Sequence, residues 1–202
     1  MNQQMRLLGW LTLWGFGLAG LALVYFFQET SVWALLAGHG PLWIQVLIGL
    51  LAGLISGFFA RWLILRSFFE KEKIKYRNLI NQWSWTPAGI VFISFCAGIG
   101  EELFFRAGLQ PLLGLWTTTV LFVLLHGYLN PFNWRISVYG ILMVGLIAFF
   151  GYLFQQVGIL TSILAHAAFD AVLLFWLTGG DGGTGRLRDE EMMRHKPSPR
   201  NL

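Results

Sequence analysis

The stretch GIGEELFFRAGLQP, residues 98–111, places two adjacent carboxylates and one guanidinium inside an otherwise apolar part of the chain. The charged side chains are those of Glu101, Glu102 and Arg106. The apolar run around them begins near Ala88 and is long enough for a membrane-spanning helix. Because a charge near the centre of a bilayer is costly, ionisable groups inside a span indicate a functional site.

The composition indicates a membrane protein. The chain has 202 residues, of which 56% are hydrophobic and 12% are charged, whereas about 25% of residues are charged in a typical soluble domain. Apolar runs of about 20 residues, the length that a helix needs to cross a bilayer, recur along the sequence. We therefore predict an all-α polytopic membrane protein with about six transmembrane helices and an intramembrane site. The predicted spans are residues 7–27, 42–60, 88–109, 114–129, 136–156 and 159–178.

The formal net charge of +4 reflects loop composition and does not call for a nucleic-acid partner. Lys and Arg occur at position 6, between residues 61 and 77, at position 135 and in the C-terminal tail. The alternate loops, residues 28–40, 110–115 and 156–160, contain neither. Since basic residues mark cytoplasmic loops, we predict a multi-pass protein of the cell (inner, cytoplasmic) membrane with both termini in the cytoplasm.

The chain divides into three parts. Residues 1–86 contain two N-terminal transmembrane helices and a basic segment predicted to lie on the cytoplasmic membrane surface. Residues 87–178 form a predicted four-helix core, which carries the intramembrane charges. Residues 179–202 are Gly-rich and charged, and we predict a disordered tail. The single cysteine, Cys96, excludes an intrachain disulfide and is interpreted as a packing residue.

Ionisable side chains in three of the spans indicate one converging site. They are Glu101, Glu102, Arg106, His126, His166 and Asp170. Glu102 and Arg106 are four residues apart, so they share a helix face and can neutralise each other. Glu101 is rotated by about 100° from Glu102 and has no polar neighbour one turn away, so it can point into the bundle. A carboxylate with His126 as its partner could hold and deprotonate a water molecule.

The last predicted span adds a second pair of polar side chains. His166 and Asp170 are four residues apart and share a face. They could hydrogen-bond an oxyanion or orient a substrate amide. An ionised Asp170 can only accept hydrogen bonds, so its expected part is to orient or charge His166. Phe122 is expected to pack beside His126 without a chemical role.

These motifs, in this order, resemble those of the CPBP (CAAX protease and bacteriocin-processing, or Abi) family of intramembrane glutamic endopeptidases. The resemblance covers about residues 88–178 and consists of Glu-Glu-x-x-x-Arg, Phe-x-x-x-His and His-x-x-x-Asp/Asn. It implies that Glu101 and His126 activate the water and that His166 and Asp170 line the oxyanion side. It also implies supporting roles for Glu102 and Arg106.

The resemblance implies a hydrolase that cuts a membrane-associated polypeptide, without cofactor or metal. Asp170 stands where the eukaryotic prenyl proteases have Asn, which weakens the transfer of prenyl-substrate specificity, so whether the substrate is lipidated is not predicted. A zinc site is the main rival mechanism, because Glu101, His126 and His166 are suitable ligands by type. Since the chain has neither a His-Glu-x-x-His motif nor a cysteine cluster, we favour the metal-free reaction.

Two other functions are compatible with the sequence. One is a non-catalytic membrane factor of the same fold, such as a bacteriocin-immunity or scaffold protein. The other is a proton-coupled carrier, against which the missing internal repeat argues. Counting residues along the third span puts Glu101 in the outer half of the bilayer, which favours a substrate cut near the external face. The substrate's identity and the oligomeric state are not predicted.

Overall fold

The computed structural model describes residues 3–28 and 30–179. The predicted disordered tail, residues 179–202, therefore falls outside the described residues, apart from Gly179. Helices account for most of the described ranges, which contain no β-strand. The helices are α1 (Gln3–Phe27), α2 (Val32–Ala37), α3 (Leu42–Ile64), α4 (Glu70–Ile80), α5 (Pro87–Leu113), α6 (Leu115–Leu125), α7 (Trp134–Gln156) and α8 (Ile159–Gly179).

Five of these helices, α1, α3, α5, α7 and α8, are long and apolar enough to cross a membrane. This confirms the predicted all-α polytopic class, but the count of six full spans is corrected. The predicted fourth span, residues 114–129, contains only the 11-residue helix α6, about 16 Å long at 1.5 Å per residue. The hydrocarbon core is about 30 Å thick. Helix α6 stops early because Gly127 has a φ of +74°, a conformation that favours glycine and ends helices.

The loops lie at two opposite ends of the helix bundle. At one end, the backbone N–H of His39 donates to the Val157 carbonyl at 2.8 Å. At the other end, Asn133 Nδ2 donates to Glu72 Oε1 at 3.3 Å, which joins the α6–α7 connection to α4. We call this second end, made of residues 61–83 and 126–135, the basic end. The chain between α5 and α7 therefore runs back to the basic end, partly as α6 and partly as non-helical backbone.

Helix α5 carries the first site residues, and its start follows from local sequence. Thr86 accepts a hydrogen bond from the Gly89 N–H at 3.0 Å, and Pro87 occupies the first helical position, where its missing N–H costs nothing. A π-helical stretch, Leu103–Leu109, follows directly after the two glutamates. Such wide turns are frequent at functional sites, and this one directs the following side chains back into the bundle.

The predicted third span, residues 88–109, is too short, because α5 continues through Pro111 to Leu113. Pro111 has no N–H to donate to the carbonyl of Ala107, four residues earlier. Gln28, at the end of α1, supplies the missing donor: its Nε2 lies 2.7 Å from the Ala107 oxygen and 3.1 Å from that of Gly108. A side chain from another helix thus satisfies the carbonyl that the proline leaves unpaired.

Small residues let the helices that hold the site approach closely. A Cβ placed on Gly98 of α5 would lie 2.8 Å from the Ile163 carbonyl oxygen of α8. Gly53 of α3 packs in the same way against Ala165 of α8. Such contacts are typical of helix association in membranes, where close van der Waals packing replaces the hydrophobic effect. They fix α8 between α3 and α5.

Candidate active site

The structure brings the four predicted catalytic residues together around one cavity of about 120 Å³. Glu101 comes from α5, His126 follows the last residue of α6, and His166 and Asp170 come from consecutive turns of α8. Glu101 Oε2 lies 3.5 Å from His126 Nε2 and 3.9 Å from His166 Nε2. His166 Nε2 is also 3.6 Å from Asp170 Oδ2. The convergence expected from the sequence is thus present, and the catalytic roles stay predictions.

The local backbone sets the orientation of His126. Its Nδ1 lies 2.8 Å from the carbonyl oxygen of Phe122. Because a carbonyl only accepts, Nδ1 carries the hydrogen, and in the neutral ring Nε2 is left with a lone pair facing Glu101. The imidazole also stacks on the Phe122 ring, with centroids 4.2 Å apart and planes 19° apart. Phe122 therefore holds His126 with both its ring and its carbonyl.

Glu102 has two partners rather than one. Its Oε2 lies 3.4 Å from Arg106 Nε, which is the pairing expected from the four-residue spacing. Its Oε1 accepts a hydrogen bond from His166 Nδ1 at 3.0 Å. Glu102 is completely buried, so both contacts are shielded from solvent. The carboxylate that the sequence marked as merely neutralising Arg106 also orients a histidine of the site.

Arg106 is fully buried and its guanidinium is held on several sides. Nη1 donates to Gln110 Oε1 at 3.0 Å, and Nη2 donates to the Ile147 carbonyl at 3.0 Å. Gln110 in turn donates from Nε2 to the Gly151 carbonyl at 2.9 Å. Gln110 was not predicted as a site residue, although its position one turn after Arg106 is a signal that could have identified it. These bonds join α5 to α7 behind the site.

Two tyrosines complete the cavity wall. The Tyr128 ring lies nearly parallel to that of His126, with centroids 6.2 Å apart and planes 12° apart. Tyr139 of α7 contacts Tyr128 edge-on, with centroids 5.6 Å apart. Neither was predicted as a site residue: Tyr128 follows a helix end and Tyr139 begins a long apolar span, so no spacing rule joins them to His126.

The site adjoins a second cavity of about 200 Å³. The two cavities share three lining residues, Tyr128, Tyr139 and Asp170. The second cavity extends to Lys73 and Tyr76 of α4, at the basic end. Because α5 is longer than the predicted span, Glu101 is the fifteenth of its 27 residues and lies near the middle, and the adjoining space leads to the basic end.

Tyr76 stands at the outer part of this second cavity. Its ring centroid lies 6.2 Å from that of Tyr128. Burial, and to a smaller extent the nearby Glu72 carboxylate, raise the pKa of Tyr76 above the ordinary value of a tyrosine. The phenol is therefore neutral at physiological pH and offers both a donor and an acceptor where the cavity meets α4.

The types of side chain in the site and their arrangement indicate whether they could bind a metal ion. Within residues 3–28 and 30–179, no group of three or more His, Cys, Asp or Glu side chains is arranged to hold a metal ion. Of the ring nitrogens of the two histidines only the Nε2 atoms remain for a ligand, since His126 Nδ1 faces a carbonyl and His166 Nδ1 faces Glu102. Independence from a metal stays a prediction with its own test.

Comparison with known proteins finds one family model that matches the part of the chain that carries the site. A family model described as type II CAAX prenyl endopeptidase Rce1-like matches residues 81–172. That range includes each of the predicted site residues, and it confirms the resemblance that the motifs indicated. Neither a curated protein nor a solved structure matches the chain.

Proposed function

We propose that this chain is a CAAX-type glutamic endopeptidase that cuts a membrane-associated polypeptide, and the match of residues 81–172 to the Rce1-like family model supports this proposal. A protease of this group and a membrane-associated peptide substrate follow from the family. The assignment of the reaction to particular residues follows from the geometry around Glu101. In this proposal Glu101 and His126 activate water, and His166 with Asp170 forms the oxyanion side.

The proposal rests on one observation: two hydrogen-bond acceptors in the cavity face each other. Glu101 Oε2 is buried and has no hydrogen-bond partner among the described residues. His126 Nε2, 3.5 Å away, presents a lone pair because Nδ1 donates to Phe122. A water molecule that donates to both would satisfy both acceptors. The same contacts would polarise its O–H bonds, and Glu101 or His126 would take the proton as the oxygen attacks a scissile carbonyl.

His166 is suited to the opposite side of the reaction. Its Nδ1–H is held by Glu102 at 3.0 Å, which fixes the ring plane. When the ring is protonated, Nε2–H points to the space between Glu101 and Asp170 and can donate to an oxyanion formed there. Asp170 stabilises the positive ring and cannot itself donate while ionised. Glu102 and Asp170 thus have separate roles toward His166: Glu102 orients the ring and Asp170 stabilises its positive charge.

The charge of the basic end indicates the side of the membrane from which the substrate enters. Between residues 61 and 77 the chain has six basic and two acidic residues, which by the positive-inside rule places this end in the cytoplasm. The second cavity leads from the site to that end. The proposed protease therefore takes its substrate from the cytoplasmic side of the membrane, with the N-terminus of α1 on the same side.

The test compares membrane proteomes of cells that carry the wild-type chain, Glu101→Gln or Glu70→Gln. Glu70 is a matched control, because its carboxylate pairs with Lys73 on α4 and does not line the catalytic cavity. We expect an uncleaved precursor to accumulate with Glu101→Gln alone. With the purified precursor as substrate, kcat should fall by about 10³-fold in Glu101→Gln. Full biological activity of Glu101→Gln would instead support a non-catalytic membrane factor.

A further inference from the structure

A large apolar groove lies on the outer face of the bundle, apart from the catalytic cavity. It has a volume of about 600 Å³ and is lined by α3, α5 and α8, within the range of 300–1,000 Å³ that is typical of ligand pockets. Phe58, Phe95 and Phe175 at its rim are 55%, 42% and 42% exposed. The groove therefore opens sideways, toward the space that lipid occupies.

Two polar groups in this groove lack partners. Arg61 is the only charged residue among the described residues that line it, and its Nε is buried without a hydrogen-bond partner. Ser94 is 1% exposed, lines the same groove, and its hydroxyl also has no partner. A helical serine ordinarily bonds to the carbonyl one turn earlier, so a free hydroxyl here is directed to something else. Unpaired buried polar groups point to a ligand that satisfies them.

The position of these groups along the helices indicates an amphiphile. Arg61 is three residues, or about 5 Å, from the end of α3 at the basic end. Ser94 is seven residues, or about 10 Å, from the start of α5 at the same end. Beyond them the lining is apolar. A charged head near Arg61, a hydrogen-bond acceptor slightly deeper and a hydrocarbon chain beyond match the order of groups in a glycerophospholipid.

We propose that this groove binds one anionic phospholipid of the leaflet at the basic end. The phosphate would pair with Arg61, an ester carbonyl would accept from Ser94, and an acyl chain would lie deeper, along Leu164 and Ala168. Charge selects the lipid class, since the six basic residues between 61 and 77 favour an anionic head group at this end. The proposal does not depend on the proteolytic function, because the groove is on the face of α8 that carries Ala168 and Ala171 rather than His166.

The test measures lipid retention by native mass spectrometry after titration of the purified full chain with phosphatidylglycerol or phosphatidylcholine. For the wild type we expect one phosphatidylglycerol per chain, retained at least tenfold better than phosphatidylcholine. In Arg61→Gln the preference for phosphatidylglycerol over phosphatidylcholine should fall by about tenfold. Ala171→Leu fills the groove and should abolish the binding of both lipids. Arg66→Gln is the matched control, because Arg66 is at the same end but stacks on Trp62 outside the groove.

Three results would overturn the proposal. Equal retention of phosphatidylglycerol by the wild type and Arg61→Gln would show that Arg61 does not bind the lipid phosphate. An equal loss in Arg66→Gln would show attraction to the basic surface as a whole. A dimer that disappears in Ala171→Leu, with lipid retention unchanged, would assign the groove to a second copy of the chain. Arg61→Gln keeps the proposal testable if Ala171→Leu fails to fold.

Discussion

Glu102 Oε1 and His166 Nδ1 lie 3.0 Å apart across the contact between α5 and α8. Glu102 is rigidly held because its other oxygen faces the buried Arg106. The bond fixes which nitrogen of His166 faces the site and keeps the ring from turning. A residue outside the cavity thereby positions one that lines it.

The first prediction concerns this bond. Glu102→Gln keeps a hydrogen-bond acceptor for His166 but removes the negative charge, so we expect kcat to fall by about 10²-fold with little change in KM. A purely structural role would instead lower the fraction of folded protein without changing kcat per folded molecule. The measurement is steady-state kinetics on the purified precursor, normalised to the folded fraction from thermal unfolding.

The second prediction concerns Arg106. Arg106→Ala leaves the carboxylate of Glu102 buried without its cation and removes the donors to Gln110 and Ile147. Breaking a buried ion pair from one side costs about 3–5 kcal/mol. We expect this loss in reversible unfolding in detergent. Arg106→Lys restores the charge but not the fork of donors, so it should recover only part of the stability. Complete recovery by lysine would contradict the importance of the hydrogen bonds.

The third prediction concerns Gln28 and Pro111. Gln28→Ala removes the donor to the Ala107 carbonyl and should destabilise the protein by about 1–2 kcal/mol. In a Pro111→Ala background the new N–H of residue 111 can reach the same carbonyl, so the loss should be smaller. A double-mutant cycle of unfolding free energies measures this coupling. Strict additivity would show that Gln28 does not compensate for the proline.

The fourth prediction tests the second cavity as the entry path. Leu173 lines that cavity and not the catalytic one, so Leu173→Trp should narrow the path and lower kcat/KM by about tenfold. Leu142 is 40% exposed on α7 and lines neither cavity, which makes Leu142→Trp the matched control. Unchanged kcat/KM in a folded Leu173→Trp protein would place the entry elsewhere.

The fifth prediction concerns metals. Because no group of three or more His, Cys, Asp or Glu side chains in the described ranges is arranged to hold a metal ion, we expect proteolysis to survive prolonged dialysis against EDTA and 1,10-phenanthroline. Elemental analysis of the active, purified protein should show less than about one tenth of an equivalent of zinc per chain. Activity that disappears with the chelator and returns with added zinc would favour the rival mechanism.

The sequence was informative where chemistry and helical spacing coincide. Charges in apolar runs identified α5, α6 and α8, and the four-residue spacing predicted the pairing of Glu102 with Arg106. Contacts between helices were not accessible in this way. The bond from His166 to Glu102 depends on the angle and depth at which α8 meets α5, which small residues such as Gly98 decide.

The length of α6 was missed for a different reason. Hydropathy continues through residues 114–129, so it predicts a full span, whereas one left-handed glycine, Gly127, ends the helix after Leu125. A hydropathy average does not detect a single backbone conformation. The predicted third span is too short for the same reason, because span ends were inferred from composition rather than from caps.

The shortness of α6 has a consequence for the supply of water. A helix of about 16 Å leaves close to half of the hydrocarbon thickness to be crossed by the non-helical residues 127–133. Five of these seven residues donate their backbone N–H to a carbonyl or side-chain oxygen of the protein, and irregular backbone at this depth is tolerated only against protein or a wet channel. Hydrolysis consumes one water molecule for each bond cut. We expect this water to reach Glu101 and His126 past the end of α6, where the backbone beside His126 is no longer helical.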